Sequence, residues 1–551
     1  MITRVRKKHL PAVAMALAML LFMPLGLQAQ GKAVDNLYIL GGELSNSAAT
    51  SVADINEVMP RMARLGLNTV LVPAYWEFIE PIEGLYDFTL TDRVLEQARK
   101  HNLKVVFLWF GAWKNSMSCY APAWFKLDTK RFPRARTRQG KPLEIASAFS
   151  EEVFQADCRA FSALMAHLAE VDNTAHSVAM IQIENEIGML EDARDHSPLA
   201  EKAYRQAVPD VLLKALGIKQ KGTWSEVFGT DDYADEQFMA WHYARYVERL
   251  AQVARRLYDV PLYVNAAMNS RGRRPGQYPS AGPLAHLAKI WQTAAPSVDL
   301  LAPDIYDAGF KAWAKQYDLP GNRLFIPESR CCDNSGVRAL YVFGEHRAVG
   351  FSPFAIDQAA PSECENITAA YNLLKQLKPQ FLPISSRKTA PKTWGLLFDQ
   401  DDRERIISDG DLVLTCRHNF TLPWDPRATD STPWPEGGAV VMRLNKNEYL
   451  IAGNGVVVEF KTQTEKAQEE QKALGEDGFA MAGEQSGAKV AAQRFTGWRC
   501  GILSCDQVRL DGEGNPVFIR RDNGDQDHQG RHVRIGVGEW KILHVKLYQY
   551  E

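Results

Sequence analysis

The sequence predicts a (β/α)8 barrel followed by a β-rich C-terminal region, and three observations carry that prediction. From Leu37 to about Phe354, short apolar runs alternate with helical patterns. The runs are continuous rather than alternating, as parallel strands are when helices cover both faces of their sheet. After about Ser386 the helical patterns stop, and strand-like runs follow one another through Gly, Asn and Asp turns.

Eight runs can be placed in order. Leu37–Gly41 is the first, and Thr69–Val72 the second, after a helix near Ala53–Leu65. Lys104–Trp109 is the third, after a helix near Leu90–His101. Val178–Ile183 is the fourth, after a helix near Ser150–Val171. Leu262–Asn265, Leu300–Pro303 with Ile305-Tyr306, Leu324–Pro327 and Gly350–Phe354 complete the set. Eight strands alternating with helices close into a barrel whose C-terminal strand ends carry the chemistry. The long connection between the fourth and fifth strands holds a helix near Asp235–Tyr258, which either walls the mouth or is decoration. Beyond the barrel, Trp394–Phe398, Leu412–Cys416, Glu448–Ala452, Val456–Lys461 and Trp540–Tyr548 read as strands of a sandwich. The polar, Gly/Ala/Glu-rich stretch 463–491 reads as a surface excursion.

The length of 551 residues calls for more than one core. The division expected is 1–29 as a signal peptide, 30–385 as the barrel and 386–551 as the β-rich domain. Arg4, Arg6, Lys7 and Lys8 precede the apolar stretch Leu10–Leu27, and Ala29 offers a small residue for cleavage. A membrane anchor is the competing reading, but the run is short for a bilayer span. The mature chain is expected to be periplasmic or extracellular, with no membrane attachment. A net charge of −2 gives no reason to expect a nucleic-acid partner. The eight cysteines are irregularly spaced and include no C-x-x-C pair, so neither a disulfide framework nor a zinc site can be read. Cys500 and Cys505 are close enough in sequence to bridge. The acidic stretch Asp522–Asp527 lacks calcium-loop spacing and, with His528 and His532, reads as a polar turn.

The chemistry is expected at two strand ends. Ile183-Glu184-Asn185-Glu186 closes the fourth strand, and Phe325-Ile326-Pro327-Glu328 closes the seventh. Charge at the end of a buried strand is costly unless it is used. Glu186 comes last and is better placed than Glu184 to reach the mouth. The fourth and seventh strands of an eight-stranded barrel face each other, so Glu186 and Glu328 can flank one bond. Glycoside cleavage needs two such carboxyls, about 5–5.5 Å apart in a retaining enzyme. Asn185 can hydrogen-bond a sugar hydroxyl, and the Tyr306 hydroxyl can hold the nucleophile ionised. Tyr75, Trp76, Trp109, Trp113, Trp291 and Tyr306 lie near strand ends, with Trp109 and Trp113 the preferred platforms for stacking sugar. For any one of these rings, packing against the helical shell is the competing reading.

Asn-Glu closing the fourth strand and Glu closing the seventh resemble the clan of retaining glycosidases on (β/α)8 barrels. Gly42-Glu43-Leu44, Gly66-Leu67-Asn68-Thr69, Trp76-Glu77-Phe78-Ile79-Glu80-Pro81, Gly84-Leu85-Tyr86-Asp87-Phe88 and Gln182–Gly188 narrow it. Over about residues 37–360 the chain resembles glycoside hydrolase family 35, the β-galactosidases, in a bacterial branch with its own C-terminal β domain. The resemblance implies that Glu186 is the acid/base and Glu328 the nucleophile, that Glu43 belongs to the sugar site, and that no metal or organic cofactor is needed. It implies terminal β-galactose on oligo- or polysaccharides as substrate, xyloglucan side chains among them. Ile187 stands where the family usually has Tyr. The loop Gly111-Ala112-Trp113-Lys114-Asn115 lacks the family's Ala-Glu pair, and Asn115 is the candidate to replace that glutamate. Two alternatives remain: another retaining β-glycosidase of the clan (a β-glucosidase or a family 42-like enzyme), and a non-catalytic carbohydrate-binding barrel.

Overall fold

A computed structural model describes residues 34–269, 271–382, 390–422, 424–429, 431–469, 496–524 and 527–551. The expected signal peptide, the expected domain boundary near 385 and most of the stretch 463–491 lie outside these residues.

Eight parallel strands close into a barrel. They are β1 Ile39–Glu43, β2 Thr69–Tyr75, β3 Lys104–Phe110, β4 Val178–Gln182, β5 Leu262–Ala267, β6 Leu300–Ile305, β7 (Phe325–Ile326 with Glu328–Ser329) and β8 Gly350–Phe351. Nearly every strand residue is buried, which explains the unbroken apolar runs. Proline 327 divides β7, because it has no N–H to give the sheet. The first half pairs with β8 (Phe325 beside Gly350) and the second with β6 (Glu328 beside Asp304). The break thus joins the two edges of the sheet and sets Glu328 in register with Asp304.

The covering helices follow their sequence signals. In Val52–Arg64, Ser51 caps the N-terminus by accepting the Asp54 N–H, and Ile55, Met59 and Met62 turn one face to the strands. Ser150 and Asp231 cap Glu151–Val171 and Asp232–Leu257 in the same way. Asp232–Leu257, from the long insert, grips the barrel mouth. Its Tyr243 hydroxyl donates to the Gly188 carbonyl (3.0 Å), and its Glu236 accepts from the Tyr278 hydroxyl (3.0 Å) and the Ala281 N–H (3.2 Å). The loops after β4 and β5 are anchored through these bonds, so the insert is a wall of the mouth.

The C-terminal region is two antiparallel sheets. Lys392–Phe398, Gly437–Asn445, Glu448–Asn454, Lys541–Tyr550, Arg499–Leu510 and Pro516–Arg521 lie side by side in that order. Glu404–Asp409, Leu412–His418, Val456–Thr462 and Val533–Ile535 form the second sheet. Leu396, Ala439, Val441, Ile451 and Leu543 face the second sheet, while Leu397, Val440, Met442, Leu450 and Ile542 join the barrel's own core. Each of the latter contributes about 1.5–3 kcal/mol by burial. Helix Ser335–His346 lies against Lys392–Phe398 closely enough to need glycine on both sides. A Cβ on Gly395 would sit 2.2 Å from the Tyr341 carbonyl, and one on Gly344 2.8 Å from the Gly395 Cα.

All eight cysteines are unpaired. Cys500 and Cys505 share the extended strand Arg499–Leu510, whose rise carries them roughly 16 Å apart, too far to bridge. Among the described residues, no helix is long and apolar enough to cross a membrane.

Candidate active site

The register of β6 and β7 puts Glu328 next to Asp304 at the barrel's C-terminal end. Glu328 is buried there. Its Oε2 accepts the Tyr306 hydroxyl at 2.8 Å, and its Oε1 accepts the side-chain amides of Asn265 (3.3 Å) and Asn185 (3.4 Å). Three donors converging on one carboxyl complement a negative charge. Burial, reinforced by the charge of Glu328, pushes the Tyr306 phenol far above its usual range, so it stays a donor.

Glu186 arrives on a different kind of segment. Past β4 the chain leaves the extended conformation, with Glu184 at φ 57° and Glu186 at φ 46°. The loop after β3 does the same at Asn115 (φ 51°) and Ser116 (φ 58°). Non-glycine residues pay roughly 1 kcal/mol or more each for this conformation. The two turns hold each other: Asn185 N–H donates to the Trp113 carbonyl (3.2 Å), Asn115 N–H to the Asn185 carbonyl (3.1 Å) and Ser116 N–H to the Glu186 carbonyl (3.1 Å). Asn265 fixes the orientation from below. Its Oδ1 accepts the Glu186 N–H (2.9 Å), while its Nδ2 donates to Asp304 (2.7 Å) as well as to Glu328.

The carboxyls of Glu186, Asp304 and Glu328 have oxygens all within 4.8 Å of one another. Burial, and then the charge of Glu328, raises the Glu186 carboxyl to about 7, against the pull of Lys114, Asp304 and Asn115. Glu186 therefore holds a proton it can lose near neutral pH. Asp304 and Glu43 are pushed well above the carboxylate range, first by burial and then by Glu328. The Glu43 carboxyl shares a hydrogen bond with Glu328 and accepts none from any other group, so sugar hydroxyls can bond to it. The oxygens of Glu186, Asp304 and Glu328 are also the one described group spaced to hold a metal ion. Shared protons account for the same spacing, as in carboxyl pairs that cannot both ionise.

Glu184 points the other way. Its Oε2 accepts the Trp113 N–H (2.8 Å), and its carboxyl shares a hydrogen bond with Asp157. Asp157 in turn accepts Trp109 Nε1 (2.9 Å) and the Tyr246 hydroxyl (2.7 Å). Both carboxyls are fully buried, and burial raises both, Glu184 well above the carboxylate range; one proton holds the pair together. Asp157→Ala leaves all three partners unsatisfied, and the expected cost is roughly 3 kcal/mol. A urea midpoint close to that of the parent protein would show that the pair is not structural.

Of the residues singled out in the sequence, Asn185, Tyr306, Asn115 and Glu43 surround the two catalytic candidates. Asn115 does so by donating its side-chain amide to Glu186 Oε2. Trp109 and Trp113 need correction as stacking platforms. Both are completely buried. Trp109 packs between Trp76 and Phe161, and Trp113 against Tyr243 and Tyr246, which leaves neither ring a face for sugar. Among the strand-end aromatics only Tyr306 is exposed, at 40%. Asp304, Asn265 and Lys114 went unnoticed in the sequence. Asn265 closes the LYVN run and carried the available signal, a polar residue ending a buried strand.

Residues 48–235 match the model of glycoside hydrolase family 42, described as beta-galactosidase. Residues 367–534 match a domain of unknown function, DUF5597. The first match places a glycoside hydrolase pattern on the part of the barrel that carries Glu186. No curated protein matches the chain significantly. Solved structures with a similar barrel include the beta-galactosidase of the psychrophilic Marinomonas ef1, at 15% identity and TM-score 0.45, with 62% of this chain and 60% of that one covered. A catalytic mutant of a GH42 beta-galactosidase from G. stearothermophilus aligns at 17% identity and TM-score 0.45, covering 62% and 57%. The catalytic domain of a beta-amylase from Paenibacillus polymyxa aligns at 12% identity and TM-score 0.42, covering 59% and 94%. The chain thus spans about 60% of the length of the beta-galactosidase structures it resembles.

Proposed function

We propose that this protein is a retaining exo-β-galactosidase that works by double displacement. One observation carries the reading: a buried glutamate raised to about 7, Glu186, stands within 4.8 Å of a second, Glu328, that is held by three hydrogen-bond donors. That spacing suits a retaining pair rather than an inverting one. In the first step Glu328 attacks the anomeric carbon, the glycosidic C–O bond breaks, and the Glu186 proton passes to the leaving oxygen. In the second, Glu186 takes a proton from water as the water oxygen replaces Glu328 on that carbon. Galactose as the glycone is supported by the family 42 match over residues 48–235 and by the resemblance of residues 37–110 and 180–188 to family 35. Family 35 membership, xyloglucan side chains as the natural substrate, and export directed by residues 1–29 are further parts of the proposal. Family 42 membership is the alternative that the matched residues favour, and it leaves the chemistry unchanged.

The test is product analysis on galactosylated plant oligosaccharides beside a panel of nitrophenyl glycosides, with the anomer of the first product read by NMR. Release of β-galactose is expected. Release of α-galactose would refute retention, and glucose in its place would move the enzyme to the β-glucosidases. Binding of oligosaccharides with no release from any β-linked substrate would leave only the carbohydrate-binding reading.

A further inference from the structure

We propose that Lys114 acts through Asn115 on Glu186, as a positioning residue that eases the loss of the Glu186 proton and so favours the second half-reaction. The inference deepens the glycosidase reading and rests on it.

The observations form a chain. Lys114 Nζ donates to Asn115 Oδ1, and Asn115 Nδ2 donates to Glu186 Oε2. The loop geometry enforces this order, since Asn115 and Ser116 take the left-handed conformation and bond backbone to backbone with Asn185 and Glu186. Lys114 is itself 4% exposed, and its ammonium lies 5.0 Å from the centre of the Phe110 ring. Among the described residues no carboxylate lies within ion-pair distance of it. A buried cation with a single hydrogen bond is expensive unless its charge is used. The charged and titratable groups facing Glu186 are Glu328 from β7, Asp304 from β6, Glu43 from β1 and Lys114 from the loop after β3. Lys114 is the one cation among them. Glu43 and Glu186 both feel its charge, and the Cys119 thiol sits against its carbonyl at 3.8 Å.

The catalytic cycle gives the cation a use. Before the first step Glu328 is an anion, and its charge keeps the proton on Glu186. Once Glu328 has become an ester, that charge is gone, while Lys114 remains. The balance at Glu186 then tips toward the carboxylate, the form that must take a proton from water. The Asn115 amide passes the polarisation on and keeps the Lys114 ammonium from bonding Glu186 directly, which would lock it as a permanent carboxylate.

Lys114→Met tests the idea, since methionine keeps the stem and the Phe110 contact but not the charge. The alkaline limb of kcat/KM on a nitrophenyl β-galactoside is expected to move up by about one pH unit, tenfold in the proton equilibrium. With a dinitrophenyl substrate, whose leaving group needs no acid, deglycosylation at pH 7 should slow about tenfold and a burst should appear. Lys114→Arg should hold the limb near its parent position. Asn115→Ala, which breaks the chain but leaves the cation, should shift the limb in the same direction as Lys114→Met and serves if that variant fails to fold. Folded Lys114→Met protein with unmoved limbs and only a raised KM would overturn the inference, leaving Lys114 as a sugar contact. A parent enzyme that releases no sugar from any β-galactoside would instead overturn the glycosidase reading beneath it.

Discussion

Glu328→Gly should remove turnover by about 10⁴-fold or more, the loss expected when a covalent nucleophile is deleted and no neighbouring group can take its place. Its register partner Asp304 is bonded to Asn265, and burial raises its carboxyl well above the usual carboxylate range, which makes it a poor substitute. Tyr306 and Asn265 remain in position to bind water where the carboxylate stood. Added azide is therefore expected to yield a galactosyl azide of inverted configuration, with no retained product. Parent-level rates with retention would show that another residue is the nucleophile, and the mechanism would have to be redrawn around it.

Glu186→Ala should split substrates by leaving group. Loss of a general acid/base costs about 10²–10⁴-fold. On poor leaving groups that loss falls on kcat/KM. A dinitrophenyl galactoside should keep its first step and lose the second, and azide should restore turnover with a product of retained configuration. The pH profile supplies an independent reading. The acid must be protonated, and its carboxyl sits at about 7. In the parent enzyme, kcat/KM on poor leaving groups should therefore fall above pH 7, about tenfold per unit, and the Ala variant should lack that limb. An alkaline limb that survives the substitution, or azide rescue in the Glu328 variant with retention, would exchange the two roles.

Much of this site can be read without coordinates. Glu186 and Glu328 each follow a buried apolar run, and a parallel barrel exposes only its C-terminal strand ends to substrate. The eight predicted strands fall within a few residues of those observed, since parallel strands buried on both faces leave so plain a mark. Asp304 was missed for the same reason. It interrupts the run Leu300–Ile305, and a buried carboxyl inside a strand looks like a break until its partners are known. Trp109 and Trp113 failed in the opposite direction. Aromatics near strand ends look alike in sequence whether they face the mouth or the helical layer, and these two are claimed by Asp157, Tyr243 and Tyr246. In the C-terminal region Glu404–Asp409, Gly437–Asn445, Arg499–Leu510, Pro516–Arg521 and Val533–Ile535 escaped notice. Charged residues dilute the apolar signal in Glu404–Asp409, Arg499–Leu510 and Pro516–Arg521. Gly437–Asn445 opens on a glycine pair that reads as a turn, and Val533–Ile535 is only three residues long.

The order of strands and helices, the meeting of Glu186 from β4 with Glu328 from β7 at the mouth and the preference for Glu186 over Glu184 follow from the sequence, because periodicity and strand direction are local properties. The protonation of the site follows only from the tertiary structure. Proline 327 brings Glu328 beside Asp304, and two left-handed turns bring Lys114 and Asn115 to Glu186. Glu184 is withdrawn to share a proton with Asp157. Which carboxyl keeps its proton depends on burial and on charges brought together from five separate strand ends, and no stretch of sequence holds that sum.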